Sequence, residues 1–380
     1  MKKIPFHKPS IPSLALKNIQ NVLDSGWITT GEKVTKFEES LSNLLGVKYA
    51  VAVSSGTAAL HLAYLAAGIR EGDEVIVPSY TFCSAINTIL HIGAKPIFCD
   101  IEESTLCADP FDIEKKITSK TKAIVVVHFA GMPANLDAIN AIARKHKLKV
   151  IEDAAHGFMT KYKGKWVGQG NNFVCFSFYA TKNLTSAEGG LVVCPNKKTA
   201  DLVRTLSLHG MSKSGWKRYT KNGTWRYDIL YPGFKYNLTD VHAAIGLPQV
   251  TLANKVHLRR AKLAKEYISL LKNNPNLILP AEPMGHGNEH AWHLFVVRIK
   301  ATAKISRDKV IEEMKKVGIG TSVHFIPNHT QRYYKKRGLG CKLPVTEKVF
   351  NQVLSLPFYE RLSKSEVKYI CDTLNNLTNA

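Results

Sequence analysis

The chain has 380 residues, of which 45% are hydrophobic and 9% aromatic, and 52 Lys and Arg against 30 Asp and Glu give it a formal net charge of +22. This balance is typical of a globular protein and excludes wholesale disorder. The length favours two domains, which we place at residues 1–245 and 246–380.

The composition also indicates the cellular compartment and limits the classes of possible partner. The longest apolar runs, such as residues 123–127, are far too short to cross a membrane, and the N-terminal stretch has no apolar signal core. Seven scattered Cys residues without CxxC spacing are typical of reduced thiols in a cytoplasmic protein. The positive charges form no single stripe, so we expect no nucleic-acid partner; an anionic small substrate explains part of the charge.

Apolar strands alternate with helices after an amphipathic stretch at 14–23. The predicted strands are 48–53, 73–77, 95–100, 123–129, 149–152, 173–179 and 190–194, and the predicted helices are 58–68, 82–92, 135–147 and 197–206. This alternation is typical of βαβ units, and it predicts an α/β fold with a large, mostly parallel, buried sheet.

A second pattern follows. Residues 210–232 are polar, aromatic and Gly-rich, which predicts a long loop, and residues 239–273 are strongly helical. The remaining predicted elements are a strand at 293–299, a helix at 307–316 and a strand at 318–325. They indicate a smaller C-terminal α/β domain.

The first candidate site is the run Ser54-Ser55-Gly56-Thr57-Ala58, between a strand and a helix. Free N–H groups and the positive helix end can bind an anion there. Ser and Thr are also common helix N-caps, which explains this run equally well. The sequence has no Walker A loop and no GxGxxG motif, which disfavours a P-loop or standard dinucleotide site.

Two further features lie at strand ends. Glu152 and Asp153 end a buried strand, where ligands of α/β proteins bind, and alternation places their side chains on opposite sides. Asp153 can hold a protonated ring nitrogen, or it can cap a helix. Lys182 follows an apolar strand and precedes Gly189 and Gly190; partial burial would lower its pKa and make its amine nucleophilic.

An anion-binding loop, an acidic strand end and a Lys about thirty residues later together fit pyridoxal 5'-phosphate (PLP). The phosphate needs a helix N-terminus, the pyridinium needs a carboxylate, and the aldehyde needs a lysine. An aromatic residue in the run 78–82 can stack on the ring.

These residues lie in motifs that resemble the DegT/StrS family of sugar-nucleotide aminotransferases, which are fold-type-I PLP enzymes. The motifs are SGWITTG (25–31), SSGTAALHLA (54–63), GDEVIVPSYTF (72–82), VIEDAAH (150–156), FSFYATKN (176–183), AEGG (187–190), GFKYNLTD (233–240), HAWHLFVVRI (290–299) and GIGTSVHF (318–325). The resemblance covers nearly the whole chain. It implies that the large domain, residues 1–245, binds PLP.

The resemblance also implies roles for single residues. Lys182 is the catalytic residue: it joins the cofactor aldehyde and then shuttles a proton. The implied cofactor-binding residues are Gly56, Thr57 and Ser177 at the phosphate, Phe82 on the ring, Asp153 at the ring nitrogen and His156 near the phenolic oxygen. Lys235 resembles the residue that a neighbouring subunit sends to the phosphate, which implies a homodimer with its sites at the interface. Trp27, Thr29, Thr30 and His324 resemble substrate-side residues.

The implied reaction moves an amino group from glutamate, leaving 2-oxoglutarate, to the keto carbon of a nucleotide-linked sugar for a surface glycan or lipid A. The likeness is greatest to the branch that aminates a UDP-4-keto pentose. That branch typically has Trp at Phe82, Ala at Gly56 and His-Ala-Ile at 179–181, so the sugar stays open.

Other functions are weighed against this one. A PLP-dependent sugar dehydratase has the same fold but replaces the lysine by His, so Lys182 argues against it. A noncatalytic regulator that only binds PLP would not need both Lys182 and Asp153. A zinc site at His286, His290 and His293 is disfavoured because structural His residues are commoner than ligands, and we predict no metal.

Overall fold

In the computed structural model, residues 3–212 and 226–379 are described, and the element numbers below refer to them. The first nine strands form a seven-stranded sheet and a two-stranded sheet, the latter from β6 and β7. They are β1 (Ala50–Val53), β2 (Glu74–Pro78), β3 (Lys95–Cys99), β4 (Thr121–Val127), β5 (Lys149–Asp153), β6 (Lys161–Tyr162), β7 (Lys165–Trp166), β8 (Phe173–Ser177) and β9 (Gly190–Val193). The third sheet has β10 (Leu277–Ile278), β11 (Phe295–Ile299) and β12 (Val353–Leu356).

Seven strands form the large sheet in the order β1-β9-β8-β5-β4-β2-β3. Every neighbouring pair from β8 to β3 is parallel, and β9 runs antiparallel to both β1 and β8. The strands are almost wholly buried, because helices cover both faces of a parallel sheet. This confirms the predicted α/β fold with a mostly parallel sheet.

Helices connect the strands. They are α1 (Ser13–Asp24), α2 (Glu32–Leu45), α3 (Gly56–Ala66), α4 (Ser84–His91), α5 (Pro110–Lys115), α6 (Leu136–Lys145), α7 (Lys197–Leu206), α8 (Asp240–Val250), α9 (Ala253–Leu271), α10 (Arg307–Lys316), α11 (Arg332–Lys336), α12 (Pro344–Gln352) and α13 (Lys364–Asn379). Helix α3 is mostly apolar and packs against the sheet, and its seven consecutive residues from Ala58 to Tyr64 are buried.

The small antiparallel sheet, β10-β11-β12, has a core of its own with α9, α10 and α13. Ile4, from the other end of the chain, packs into this core and bridges to Ile319. The N-terminal segment is thereby held beside the C-terminal part, and it passes next to the large sheet on the way to α1.

Most predicted elements agree with the structure to within two residues at each end. The predicted helix at 239–273 is in fact two helices, α8 and α9, separated at Thr251 and Leu252. Pro248 near the end of α8 has no N–H to donate, which favours a break there. The predicted boundary between residues 245 and 246 falls inside α8, and the division into domains stays a prediction.

The predicted strand at 318–325 is wrong. This stretch makes only isolated bridges, from Ile319 to Ile4 and from Ser322 to Ser355, and no continuous ladder. The N-terminal segment lies against it: a Cβ on Gly320 would be 2.8 Å from the backbone nitrogen of Phe6. Contact with the irregular N-terminal segment therefore takes the place of the strand pairing that the alternating sequence pattern predicts.

Of the predicted loop at 210–232, residues 213–225 lie outside the described part of the chain. The two described ends pair with each other through a bridge between Met211 and Ile229. Within 3–212 and 226–379, none of the helices combines the length and apolar character needed to cross a membrane.

Candidate functional site

The carboxyl ends of β4, β5 and β8 open onto one cavity of about 330 Å³, where the N-terminus of α3 also ends. Parallel strands place their ligand sites at this edge. Eight of the residues singled out from the sequence line the cavity: Gly56, Thr57, Phe82, Asp153, His156, Ser177, Lys182 and His324. The fold therefore brings together residues that are up to 268 positions apart in the chain.

The N-terminus of α3 has a capping side chain and also borders the cavity. Ser55 is the N-cap, and its hydroxyl accepts from the N–H of Ala58 at 3.0 Å. The helix-cap explanation of this run is therefore correct for Ser55, whereas Gly56 and Thr57 begin the helix and line the cavity, and their binding of an anion stays a prediction. A Cβ on Gly56 would lie 2.9 Å from the Cβ of Ser177, so glycine allows β8 to approach the helix end.

Lys182 lies in the turn after β8, where its backbone N–H donates to the carbonyl of Tyr179 at 2.9 Å. Its side chain reaches the cavity. Burial lowers the pKa of Lys182 to about 8, although the charge of Asp153 acts in the opposite direction. Near neutral pH a larger fraction of this lysine is therefore the nucleophilic free amine than of a solvent-exposed lysine.

Asp153 ends β5 and is buried. Burial raises its pKa, while the N–H of Ala155, Lys182 and His128 favour the charged form. No helix follows, so Asp153 is not a helix cap; its Oδ1 accepts from the N–H of Ala155 at 3.0 Å. Glu152 faces the other way and contacts Nε2 of His128 at 2.9 Å, as the strand alternation predicts.

His156 is buried beside the cavity. Its Nδ1 accepts from the backbone N–H of Ala130 at 3.2 Å. Burial, with the nearby charges of Lys182 and His324, lowers the pKa of His156 well below its usual value. The ring is therefore neutral with its proton on Nε2, and it can donate from Nε2 to an acceptor in the cavity.

Phe82 and His324 lie on the outer side of the cavity. Phe82 is 57% exposed in the single chain, and its ring centroid is 6.0 Å from that of Phe325. Nδ1 of His324 is 2.8 Å from the hydroxyl of Ser355, and burial lowers the pKa of His324 to about 4. His324 is therefore a neutral polar group in a mostly aromatic wall.

Four predicted site residues lie outside this cavity. Lys235 is exposed, on a stretch that bridges to Leu208. Trp27, Thr29 and Thr30 precede α2 and bond to one another or to the segment before α8. For example, the hydroxyl of Thr30 donates to the carbonyl of Leu238 at 2.5 Å. Thr30 also accepts from the amide of Asn237, two residues after Lys235, and the predicted roles of all four residues stay predictions.

Several further residues line the cavity although the sequence predicts no site role for them. They are Phe6, His7, Tyr179, Thr181, Glu188, His293, Phe325 and Phe358, among others. The sequence offers His293 only as a disfavoured metal ligand, and Phe6 and His7 belong to an N-terminal segment without a motif. The motif HAWHLFVVRI contained a usable signal, because a polar His that opens a buried strand needs a partner.

Among the described residues, no group of three or more His, Cys, Asp or Glu side chains is arranged to hold a metal ion. His290 instead stacks on Trp292 with 4.0 Å between ring centroids, and His286 is exposed. His293 contacts His156 and Asn183, as described below.

The cavity residues fit the three demands of PLP. The end of α3 has the open N–H groups and the space, ensured by Gly56, that a phosphate needs. Asp153 is a buried carboxylate without an ion-pair partner in the described structure, and it could pair with a ring nitrogen. Lys182 is an amine with a lowered pKa in the same cavity.

Comparison with known proteins supports this assignment. The profile of the DegT/DnrJ/EryC1/StrS aminotransferase family matches residues 9–375. The spore coat polysaccharide biosynthesis protein SpsC of Bacillus subtilis (strain 168) is 42% identical over 379 residues, which cover 98% of this chain and 97% of that protein.

Two solved structures extend the comparison. Spr1654 of Streptococcus pneumoniae, described as a sugar aminotransferase and solved in PMP and PLP forms, is 31% identical; its PMP form has a TM-score of 0.92 and 99% coverage of both chains. PseC of Helicobacter pylori, an aminotransferase involved in the biosynthesis of pseudoaminic acid, is 26% identical, with a TM-score of 0.91 and full coverage of both chains. The chain belongs to the DegT/DnrJ/EryC1/StrS aminotransferase family and is a PLP-dependent aminotransferase that acts on a sugar.

Proposed function

We propose that the protein transfers the amino group of glutamate to the keto carbon, C4, of a UDP-linked 4-keto sugar. The observation that carries the proposal is the convergence of Lys182, Asp153 and the end of α3 on one cavity. The name of SpsC, a polysaccharide biosynthesis protein, supports a product that enters a surface glycan. Lipid A is the alternative destination.

Bound PLP supplies an electron sink, which lets a carbon bonded to the amino nitrogen lose its proton. The chain's own groups do the rest. With PLP bound, the free amine of Lys182 would take that proton and deliver it to the carbon on the other side of the same nitrogen, a transfer that needs a base with a pKa near the operating pH. Burial supplies such a pKa, about 8.

Asp153 would hold the positive charge at the ring nitrogen. Burial raises the pKa of Asp153, and a cation placed beside it would favour the carboxylate. His156 would donate from Nε2 to the oxygen on the ring, because its Nδ1 is occupied by the N–H of Ala130. Gly56, Thr57 and Ser177 would bind the phosphate, and Phe82 would pack against the ring.

The sugar occupies the outer part of the cavity, between Phe6, Phe82 and Phe325. Aromatic rings pack well against the apolar face of a sugar. The neutral ring of His324 provides a polar contact there. Within the described residues, the one lysine that lines the cavity is Lys182 and no arginine does, so the charged diphosphate of the sugar nucleotide binds mainly outside it.

We propose that a second copy of the chain completes the site. Lys235 is exposed and outside its own cavity, which suits a residue that reaches the phosphate of a partner. Trp27, Thr29 and Thr30 also lie outside that cavity and would contact the substrate across the interface. The exposed apolar residues Ile229, Leu230 and Tyr231 near Lys235 support a homodimer, because such patches mark interfaces.

The test is an absorbance spectrum of the PLP-loaded protein before and after addition of glutamate. We expect a band near 410–430 nm that moves toward about 330 nm as the cofactor accepts the amino group. Keto sugars linked to UDP, dTDP or GDP are then added one at a time. Restoration of the first band by a UDP-4-keto sugar, and not by its 4-hydroxy form, supports the proposal. A band that glutamate leaves unchanged contradicts the donor.

A further inference from the structure

Asn183 and His293 connect the turn that carries Lys182 to the rings beside the cavity. The amide nitrogen of Asn183 donates to the carbonyl of Ala291 at 2.9 Å, and its Oδ1 lies 3.1 Å from Nδ1 of His293. Because the nitrogen is used by Ala291, the oxygen of the amide faces His293, and Nδ1 of His293 must donate. His293 is neutral, since burial lowers its pKa well below the usual value.

Ala130 closes this network from the other side. Its backbone N–H donates to Nδ1 of His156, and its carbonyl accepts from the backbone N–H of His293 at 2.8 Å. The rings of His156 and His293 are 4.4 Å apart between centroids. The next residue, Gly131, allows this approach, because a Cβ there would lie 2.9 Å from the Cβ of Ala291 and its φ is +100°.

The two rings therefore have opposite hydrogen-bonding character. Nδ1 of His156 accepts, which leaves a proton on its Nε2, whereas Nδ1 of His293 donates, which leaves a lone pair on its Nε2. Both residues line the cavity. Neither Nε2 has a protein partner among the described residues, and the turn with Lys182 is covalently continuous with Asn183.

We propose that Asn183 and His293 are positioning residues that act through His156 and Lys182. His293 holds the plane of His156 through the ring contact, and its backbone N–H holds the carbonyl of Ala130, whose own N–H fixes the tautomer of His156. The bond to Asn183 keeps His293 in this position, so that the Nε2–H of His156 stays available to the cofactor. Asn183 fixes the turn of Lys182 to the same network. The role in catalysis rests on the proposed function, whereas the arrangement of the two imidazoles does not.

The variants separate the effect of the hydrogen bond between Asn183 and His293 from the effect of the ring packing between His293 and His156. His293→Phe keeps a ring against His156 and removes the donor to Asn183. Asn183→Leu removes the same bond from the other side, together with the bond to the carbonyl of Ala291. His293→Gln restores an N–H donor and should rescue. His290→Phe is the matched control, because His290 is equally buried and its Nδ1 accepts one hydrogen bond, from the backbone N–H of Trp292, outside the bond between Asn183 and His293.

The first readout needs no cofactor. In apoprotein with ¹⁵N-labelled His, the wild type and His290→Phe should show His156 protonated at Nε2 alone. In His293→Phe we expect a mixture of the two tautomers or an exchange-broadened signal. The same sharp Nε2 tautomer in His293→Phe, Asn183→Leu and the wild type would overturn the positioning role.

The second readout is kinetic. We expect His293→Phe and Asn183→Leu each to lower kcat about 10–100-fold with little change in the KM for the sugar, since misplacing a catalytic group by about 1 Å has such an effect. The double variant should be no slower than the slower single variant, because Asn183→Leu already removes the bond that His293→Phe removes. Multiplied effects, or wild-type kcat with an unshifted cofactor band, would contradict the inference.

Failure of the two proposals can be told apart. If the wild type accepts no amino group from glutamate but shows the expected His156 tautomer that His293→Phe disturbs, the proposed function fails and the network stands. If the wild type is active and His293→Phe matches His290→Phe in every readout, the network is only structural.

Discussion

The carboxylates of Glu152 and Asp153, neighbours in β5, lie on opposite faces of the large sheet. Glu152 contacts His128 and also accepts from the amide of Asn172 at 2.7 Å, whereas Asp153 lines the cavity. The two acids are adjacent in sequence and almost equally buried, but strand alternation places them in different environments. Substituting each of them should therefore change a different property of the protein.

Asp153→Asn should lose about 3 kcal/mol of transition-state stabilisation, which is roughly a 10²-fold drop in kcat/KM, because a neutral amide cannot balance a charged ring nitrogen. The matched change, Glu152→Gln, should instead lower the free energy of unfolding by about 1–3 kcal/mol through its contact with His128, with the spectrum of bound PLP unchanged. Steady-state kinetics and urea unfolding separate the two. Near-native activity in Asp153→Asn would refute the role of this carboxylate.

Gly56→Ala should weaken PLP binding about tenfold. The added methyl group meets the Cβ of Ser177 at 2.9 Å, so the helix end must move by a few tenths of an ångström at the phosphate position. The dissociation constant of PLP measures this change. Gly340→Ala is the control, since its new Cβ would meet only a flexible Lys335 side chain at 3.5 Å. Equal affinities in all variants would exclude a tight fit at Gly56.

Lys182→Met should stabilise the apoprotein. The pKa of Lys182 is lowered to about 8 in the folded chain from 10.5, so protonating it in the unfolded chain is favoured between these values. The buried amine therefore costs about 3 kcal/mol of stability at pH 7 and about half of that at pH 9.5, where the unfolded chain binds fewer protons. Urea midpoints of both proteins at the two pH values test this. A stability difference that grows with pH would contradict the sign.

Mixing two variants, each defective in a different residue of the proposed site, tests whether two subunits share that site. Lys182→Ala should abolish transfer while the protein stays folded, and Lys235→Ala should weaken phosphate binding. If Lys235 acts on the partner's cofactor, subunit exchange between the two variants creates hybrid dimers with one intact site, so activity should return to a fraction of the wild type. No recovery after exchange has been verified by mass would count against a site at the interface.

The local pattern of the sequence was sufficient for the main elements. The period of apolar residues and the strand-ending motifs identified the strands of the large sheet and the residues at their carboxyl ends, because these features depend on neighbours within a few positions. Asp153, Lys182 and the end of α3 were therefore found as separate signals. Their chemistry, an acid, an amine and an anion site, indicated PLP before any contact was known.

Tertiary structure decided what the local pattern could not. The stretch 318–325 alternates like a strand, yet contact with the N-terminal segment prevents a ladder there. His293 had no interpretable role until Asn183 and His156, 110 and 137 positions earlier, lay beside it. The pKa of Lys182 and the tautomer of His156 also depend on burial and on one backbone N–H. These are properties of surroundings that distant segments assemble, and only the folded chain contains them.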